Sequence, residues 1–267
     1  MDQDYRILTG LERDAVIREE IALEADQHPG PATWDACWRE VAARWRASGD
    51  AADLVPDFLR HPGRVLRVDG EYVAPDFDDY LWRRQRDLLC QVAFHHLLDA
   101  DEVVELGCGS GFNLVALRKW LPPGVGLFGA DRSPAAVALV AELGFGALSA
   151  FDLTAPRTLG IGDGAALLTC GALEQVGENW QPFLDWALAA RPAVCVHVEP
   201  LLELYDETRL LDFLAARYHR ARGYLEGFLP AVRALERRGR VQVLEVTRIR
   251  LGAQHNDGFS VLAWRPR

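Results

Sequence analysis

The chain has 267 residues and a formal net charge of −10, enough for one large domain or a domain with an appended segment. That charge argues against nonspecific nucleic-acid binding, and the arginine runs at 83–84, 217–222 and 237–238 are short enough to be solvated helix faces. The cysteines at 37, 90, 108, 170 and 195 lack disulfide-framework spacing, no secretory leader pattern opens the chain and no apolar run reaches membrane-spanning length. A soluble, cytoplasmic protein with no nucleic-acid or membrane partner is therefore expected, with a homodimer as an allowed assembly.

In chain order, residues 11–26 and 33–47 are predicted helices. The second carries Trp34, Cys37, Trp38, Val41 and Trp45 at three- and four-residue spacings, an apolar stripe that either packs onto the main domain or forms an aromatic wall for a substrate. Asp69-Gly70 between the apolar runs 65–68 and 71–73 predicts a small hairpin. Residues 77–98 read as a long helix. Residues 1–90 are thus expected to form a mostly helical cap with a small hairpin, and 91–267 the main domain.

Val103-Val104-Glu105-Leu106-Gly107-Cys108-Gly109-Ser110-Gly111 then reads as a strand, a tight turn and a helix start, a turn that brings backbone close to a ligand. The GxGxxG order of dinucleotide folds is absent. Residues 125–131 form a second strand ending in Asp131, whose carboxylate suits a ribose diol because it accepts two hydrogen bonds and donates none. Ser133-Pro134 opens a helix. A third strand, 147–151, closes at Asp152. A fourth, 165–170, runs into Gly171-Ala172-Leu173-Glu174-Gln175, and a fifth, 193–197, ends at Val198-Glu199-Pro200. Helices at 201–218 and 225–236 precede two alternating strands, 241–250 and 259–264, joined by a long polar connection.

The glycine loop preceded by Glu105, with Asp131 and Asp152 at the next two strand ends, resembles the class I S-adenosylmethionine-dependent methyltransferases. The specific motifs fall within 103–175. The resemblance implies an α/β, Rossmann-like sheet with a final antiparallel strand inserted between its neighbours, and S-adenosylmethionine as cofactor. It places Gly107, Gly109 and Gly111 against the methionine part, Glu105 at the amino end and Asp152 near the adenine amino group. Tyr80 and Arg84, which share a helix face, are candidates to clamp the cofactor carboxylate. More loosely, Leu173-Glu174-Gln175, the run 196–200 and Trp264-Arg265-Pro266 look like an uncharacterised bacterial small-molecule group associated with specialised or surface-glycan metabolism.

Methyl transfer from a sulfonium is an in-line displacement, so the protein positions the acceptor and manages its proton; no metal is expected. His197, at the end of the fifth strand, is the leading base candidate, its unperturbed pKa being about 6.5. Glu199 faces the same side two residues on. Glu174 and Gln175 lie where the reactive methyl emerges in the resembled family, Glu174 to orient or deprotonate the acceptor and Gln175 to hydrogen-bond it, and His255, in the last loop with Asn256-Asp257, is a further catalytic candidate in support of the base. Arg222 and Tyr224 suit acceptor contacts, the arginine favouring an anion. The Asn/Asp-Pro-Pro-Tyr/Phe motif of amino-methylating enzymes is replaced here by 171–175. The expected acceptor is the oxygen or nitrogen of a polar small molecule under the cap. The alternatives are a peptide side chain, which needs an open groove, and a non-catalytic cofactor-binding role.

Overall fold

The computed structural model describes residues 4–24, 30–60, 64–162 and 164–267. The N-terminal part supplies β1 (Tyr5–Ile7), α1 (Gly10–Ala22) and α2 (Pro31–Ser48), then β2 (Leu66–Val68), β3 (Glu71–Pro75) and α3 (Tyr80–Val92). The helix expected to reach residue 26 ends at Ala22, and residues 25 and 26 lie outside the described set. Helix α2 begins with proline at its first position, whose missing N–H costs nothing there. It stops at Gly49, a left-handed residue whose N–H returns to the Trp45 carbonyl at 2.7 Å. Asp69 and Gly70 both have positive φ (53° and 83°), the conformation a two-residue hairpin needs, and β2 and β3 pair antiparallel across them. Helix α3 continues into a single π turn, Ala93–Leu97, ahead of the first strand of the large sheet.

The main domain follows as β4 (Glu102–Leu106), α4 (Phe112–Leu117), β5 (Gly126–Ala130), α5 (Pro134–Glu142), β6 (Gly146–Ala147), β7 (Ala165–Cys170), α6 (Gln181–Ala190), β8 (Val194–Glu199), α7 (Leu210–Arg222), α8 (Phe228–Arg237), β9 (Val241–Thr247), β10 (Leu251–Ala253) and β11 (Ser260–Pro266). Seven of these strands form one sheet in the order β6-β5-β4-β7-β8-β11-β9. The first five run parallel. The last strand, β11, inserts between β8 and β9 and is antiparallel to both. The chain therefore has the mixed, mostly parallel α/β Rossmann-like architecture expected. The third strand is shorter than expected, two residues rather than five. As an edge strand it has a partner on one side only, and the chain then turns inward so that Phe151 packs on Trp186 at 4.8 Å.

Both faces of the sheet are covered, which is why its central strands are nearly continuous apolar runs. Along β8 the side chains alternate. Val194, Val196 and Val198 join a core with α2, α3 and the cap, while Cys195 joins the opposite core with Phe183, Phe228 and Trp264. Each fully buried aliphatic side chain contributes about 1.5–3 kcal/mol by leaving water. Leu106, with no exposed surface, illustrates the consequence: trimming it to alanine costs about 2–5 kcal/mol.

The cap and the main domain are built into each other. The small antiparallel sheet has the order β1-β3-β2-β10, so its fourth strand comes from the connection between β9 and β11. Asp35 of α2 accepts hydrogen bonds from the Ser133 hydroxyl at 2.6 Å and the Ala135 N–H at 3.3 Å, seating the cap helix on the start of α5. At its far end, Arg46 pairs in a two-pronged fashion with Glu142. Beneath the hairpin, Arg67 and Arg248 are enclosed with Asp212 and Asp257, joining the cap to α7 and the last loop.

Candidate active site

The loop after β4 is tightly wound. Gly107, Gly109 and Gly111 all have positive φ (75°, 50° and 72°), and the N–H groups of Gly107 and Cys108 both donate to the Ala130 carbonyl at the end of β5. At Gly109 two constraints meet. A side chain there would be strained by the backbone angle, and its first carbon would lie 2.7 Å from the Trp38 ring. The space above this turn is set by the cap tryptophan, in addition to any ligand.

Acids sit behind and beside the loop. Asp131 is buried; one carboxylate oxygen accepts from the Gly109 N–H at 3.0 Å and the other from the Ser133 N–H at 2.8 Å. Burial pushes its pKa above the usual range against the pull of those two hydrogen bonds. Asp152 accepts from the Thr154 N–H and hydroxyl at 2.8 and 2.7 Å. Glu105 has no exposed surface and accepts from the Asn113 amide at 2.7 Å. Burial raises its pKa to about 8, with the charges of Asp131 and Glu199 adding to the shift. Glu105 Oε2, Asn113 Oδ1 and Gln85 Oε1 are buried acceptors with no hydrogen-bond partner among the described residues. Left unmatched, each such group is costly.

Two cavities meet here. The narrower one is walled by the 107–110 turn, Asn113, Asp131, Asp152 and Trp38. The larger, of about 690 Å³, is walled by Glu174, Tyr218, Arg222, Tyr224, His255 and Phe259. They share Trp34, Phe58, Gln85, Cys170 and Gln175, so one opens into the other. Trp34 and Trp38 stack at 5.7 Å, and Phe58 meets both edge-on. The tryptophan stripe of α2 therefore serves both readings of the sequence: Trp38 packs on the glycine loop, and Trp34 walls both cavities.

The structure brings Glu174, Gln175, Arg222, Tyr224 and His255 to the larger cavity, and Gly107, Gly109 and Asp131 with Asp152 to the narrower one. Gly111 caps α4 just behind the turn. Glu174 is raised to about 8 by burial and by Glu199 nearby.

Four assignments are corrected. His197 has no exposed surface; its ring lies 5.7 Å from Phe183 and 5.2 Å from Phe228, with Thr169 and the Trp264 indole N–H on its two nitrogens. Burial lowers its pKa to about 3, and it faces the core away from both cavities, so it is not the base. Glu199, on the same side of β8, is also enclosed. Its carboxylate accepts from the N–H groups of Ala172, Leu173 and Glu174 at 3.2, 3.0 and 3.1 Å, which makes it the anchor of that loop and not a substrate contact. Tyr80 is buried against Tyr5, and Arg84 faces solvent, paired with Asp4 at 3.0 Å and Asp87 at 3.4 Å. The two do share a helix face, but the face turned to the cavities is Leu81 and Gln85, one residue along.

Gln85, Asn113 and Phe58 were not read as site residues from sequence. Gln85 carried a signal, a polar residue four positions from Leu81 on an otherwise apolar helix stripe. Asn113 did too, lying eight residues beyond Glu105 at the first turn of α4. Among the described residues no group of three or more His, Cys, Asp or Glu side chains is placed to hold a metal ion, and no helix is long and apolar enough to cross a membrane.

No protein-family model matches the sequence, and no curated protein matches it. Among solved structures, the mitomycin 7-O-methyltransferase MmcR is similar with a TM-score of 0.50 and 15% identity, over 96% of this chain and 72% of that one. The small RNA methyltransferase HEN1 is similar with a TM-score of 0.52 and 16% identity, over 74% of this chain but only 28% of that one. At these identities the likeness establishes the fold these proteins share.

Proposed function

We propose that the protein transfers a methyl group from S-adenosylmethionine to an oxygen or nitrogen of a polar small molecule held in the larger cavity. The observation that carries this reading is a set of unmatched buried acceptors, Gln85 Oε1 and Asn113 Oδ1 on the wall of the narrower cavity and Glu105 Oε2 enclosed behind Asn113, beside a glycine turn whose neighbouring strand ends in a buried carboxylate. Such a cluster calls for a group with several N–H donors and positive charge, and an α-ammonium supplies that. Asp131 accepts one hydrogen bond on each oxygen and keeps acceptor capacity for a ribose diol. Asp152, on the same wall, suits an adenine amino group. The residues therefore fit the cofactor.

When bound, S-adenosylmethionine supplies a methyl group already activated on a positively charged sulfur. The chain's own part is positional and electrostatic. Glu199 holds the 172–174 backbone, and through it Gln175 at the junction of the cavities and Glu174 on the wall of the larger one. The Trp34, Phe58 and Leu59 wall covers that junction and limits water. The cap favours a compact acceptor over a peptide, which would need an open groove. Arg64 and Arg222 against the single acid Glu174, which burial raises to about 8, give the larger cavity a balance of charge opposite to that of the chain, favouring an acceptor with acidic or hydroxyl groups.

Calorimetry tests the reading. S-adenosylmethionine and S-adenosylhomocysteine should bind the purified protein with no comparable affinity for NAD, and Asp131→Ala should weaken both by about 1–3 kcal/mol. Tight NAD binding with neither methyl-cycle ligand bound would overturn it. So would undiminished binding by Asp131→Ala and Asn113→Ala alike.

A further inference from the structure

We propose that His255 takes the proton from the acceptor's nucleophilic atom, and that Glu20 of the N-terminal helix holds the imidazole in the tautomer and orientation this needs. The proposal rests on the methyl-transfer reading and adds to it the proton acceptor and the acceptor class: a hydroxyl or amine that still carries its hydrogen.

The pair is built from opposite ends of the chain. Glu20 lies on α1, a helix with most of its side chains in water, yet its own side chain is only 1% exposed. Its Oε1 receives His255 Nδ1 at 2.8 Å and the Gln254 amide at 2.9 Å. A carboxylate only accepts, so the hydrogen between Glu20 and His255 sits on Nδ1 and the lone pair is left on Nε2. Nε2 has no hydrogen-bond partner among the described residues. Tyr218 stacks on the imidazole at 4.8 Å and 25°, which fixes the plane of the ring. The ring stays about one-third exposed and walls the larger cavity.

The other titratable groups of that cavity cannot do this at neutral pH. Arg64 and Arg222 hold their protons permanently. Burial pushes the Tyr218 and Tyr224 hydroxyls and the Cys170 thiol up, so all three stay protonated. Glu174, raised to about 8 by burial and by Glu199, is mostly protonated at pH 7, and its Oε1 already accepts from the Gln175 amide at 2.7 Å. Among the described lining residues His255 alone presents a basic lone pair. In the step, the acceptor's O–H or N–H proton moves to Nε2 and the freed pair forms the bond to the methyl carbon. The carbon–sulfur bond breaks with its pair remaining on sulfur. The imidazolium so formed faces Glu20, which offsets its charge.

The probe is 4-nitrophenol, whose ionised form is coloured, added to protein saturated with S-adenosylhomocysteine one pH unit below the probe's own pKa. Expected is a bound probe that is mostly phenolate. His255→Gln should lower the phenolate-to-phenol ratio at least tenfold, and Glu20→Gln should lower it severalfold. A neutral bound probe, an unchanged ratio in His255→Gln, or no binding by folded, saturated protein would overturn the proposal. ¹⁵N NMR of the histidines above pH 8 provides the second measurement. Nδ1 should be protonated and Nε2 bare, a preference lost in Glu20→Gln; a protonated Nε2 in the unaltered protein overturns the assignment. Glu20→Asp, which keeps the acceptor on a shorter stem, covers a failure of Glu20→Gln to fold. If S-adenosylhomocysteine itself fails to bind, the methyl-transfer reading falls, and the NMR result still decides on the pair.

Discussion

Trp38 covers Gly109 so closely that a methyl group on the glycine would lie 2.7 Å from the indole ring. The cap and the glycine turn are therefore fitted to each other, and neither can be altered alone. Gly109→Ala combines this clash with a left-handed backbone (φ 50°) that costs about 1–2 kcal/mol for a residue with a side chain. Thermal melting should show the loss, and S-adenosylhomocysteine affinity should fall at least tenfold. Adding Trp38→Leu should return part of the stability; a strictly additive double variant would show that ring and turn are uncoupled.

His197 is expected to govern stability in acid. Its folded pKa of about 3 lies below the unfolded value of about 6.5. The neutral ring is thus favoured by the fold; its contribution is fully present above pH 6.5 and is lost as pH falls toward 3, up to about 4–5 kcal/mol. Denaturant titrations at successive pH values should show a flatter decline for His197→Phe than for the unaltered protein. S-adenosylhomocysteine affinity at pH 7.5 should change less than threefold, in line with a ring that faces the core.

Glu105 should make cofactor binding proton-linked. Its pKa of about 8 leaves it a neutral acid at pH 7, and because the unfolded value is near 4.5, it favours the folded state below pH 4.5 and loses that advantage as pH rises to 8. An ammonium group bound beside it favours the ionised form. Binding should therefore release a proton, and affinity should rise with pH until about 8. Calorimetry in two buffers of different ionisation heat measures the proton directly. Glu105→Gln should abolish the release; an unchanged proton count would place the ammonium elsewhere.

Glu199→Gln should loosen the 172–174 backbone without touching any ligand. Three N–H groups share the Glu199 carboxylate, and an amide offers one acceptor oxygen in place of two. About 1–3 kcal/mol of stability should be lost, and amide hydrogen exchange at residues 172–174 should quicken. Exchange confined to its original rate would assign the loop's position to packing alone.

The order of strands was legible because each apolar run ended at a glycine or an acid, and the glycine turn with Asp131 and Asp152 carried its own spacing. What failed was the choice of face. A strand's alternation tells that His197 and Glu199 point together, but which layer they enter depends on the helices behind, here the Phe183 and Phe228 side. On α3 the shift from Tyr80 and Arg84 to Leu81 and Gln85 is one residue, about 100° of helix, too fine for periodicity to resolve when both faces carry apolar residues. Strand β10 has three residues and no pattern of its own. Glu20 had no sequence signal, since its partner lies 235 positions away.

Strand β10 also sets a timetable for synthesis. The cap sheet is finished only when residues 251–253 pair with β2, and the same loop brings His255 to the cavity. A ribosome making this chain leaves the edge of β2 open while everything between β2 and β10 is synthesised, then closes the sheet and brings His255 to the cavity in one step. Any chain that terminates early thus emerges with an unpaired strand edge and no finished acceptor chamber, a species inclined to aggregate and unable to act.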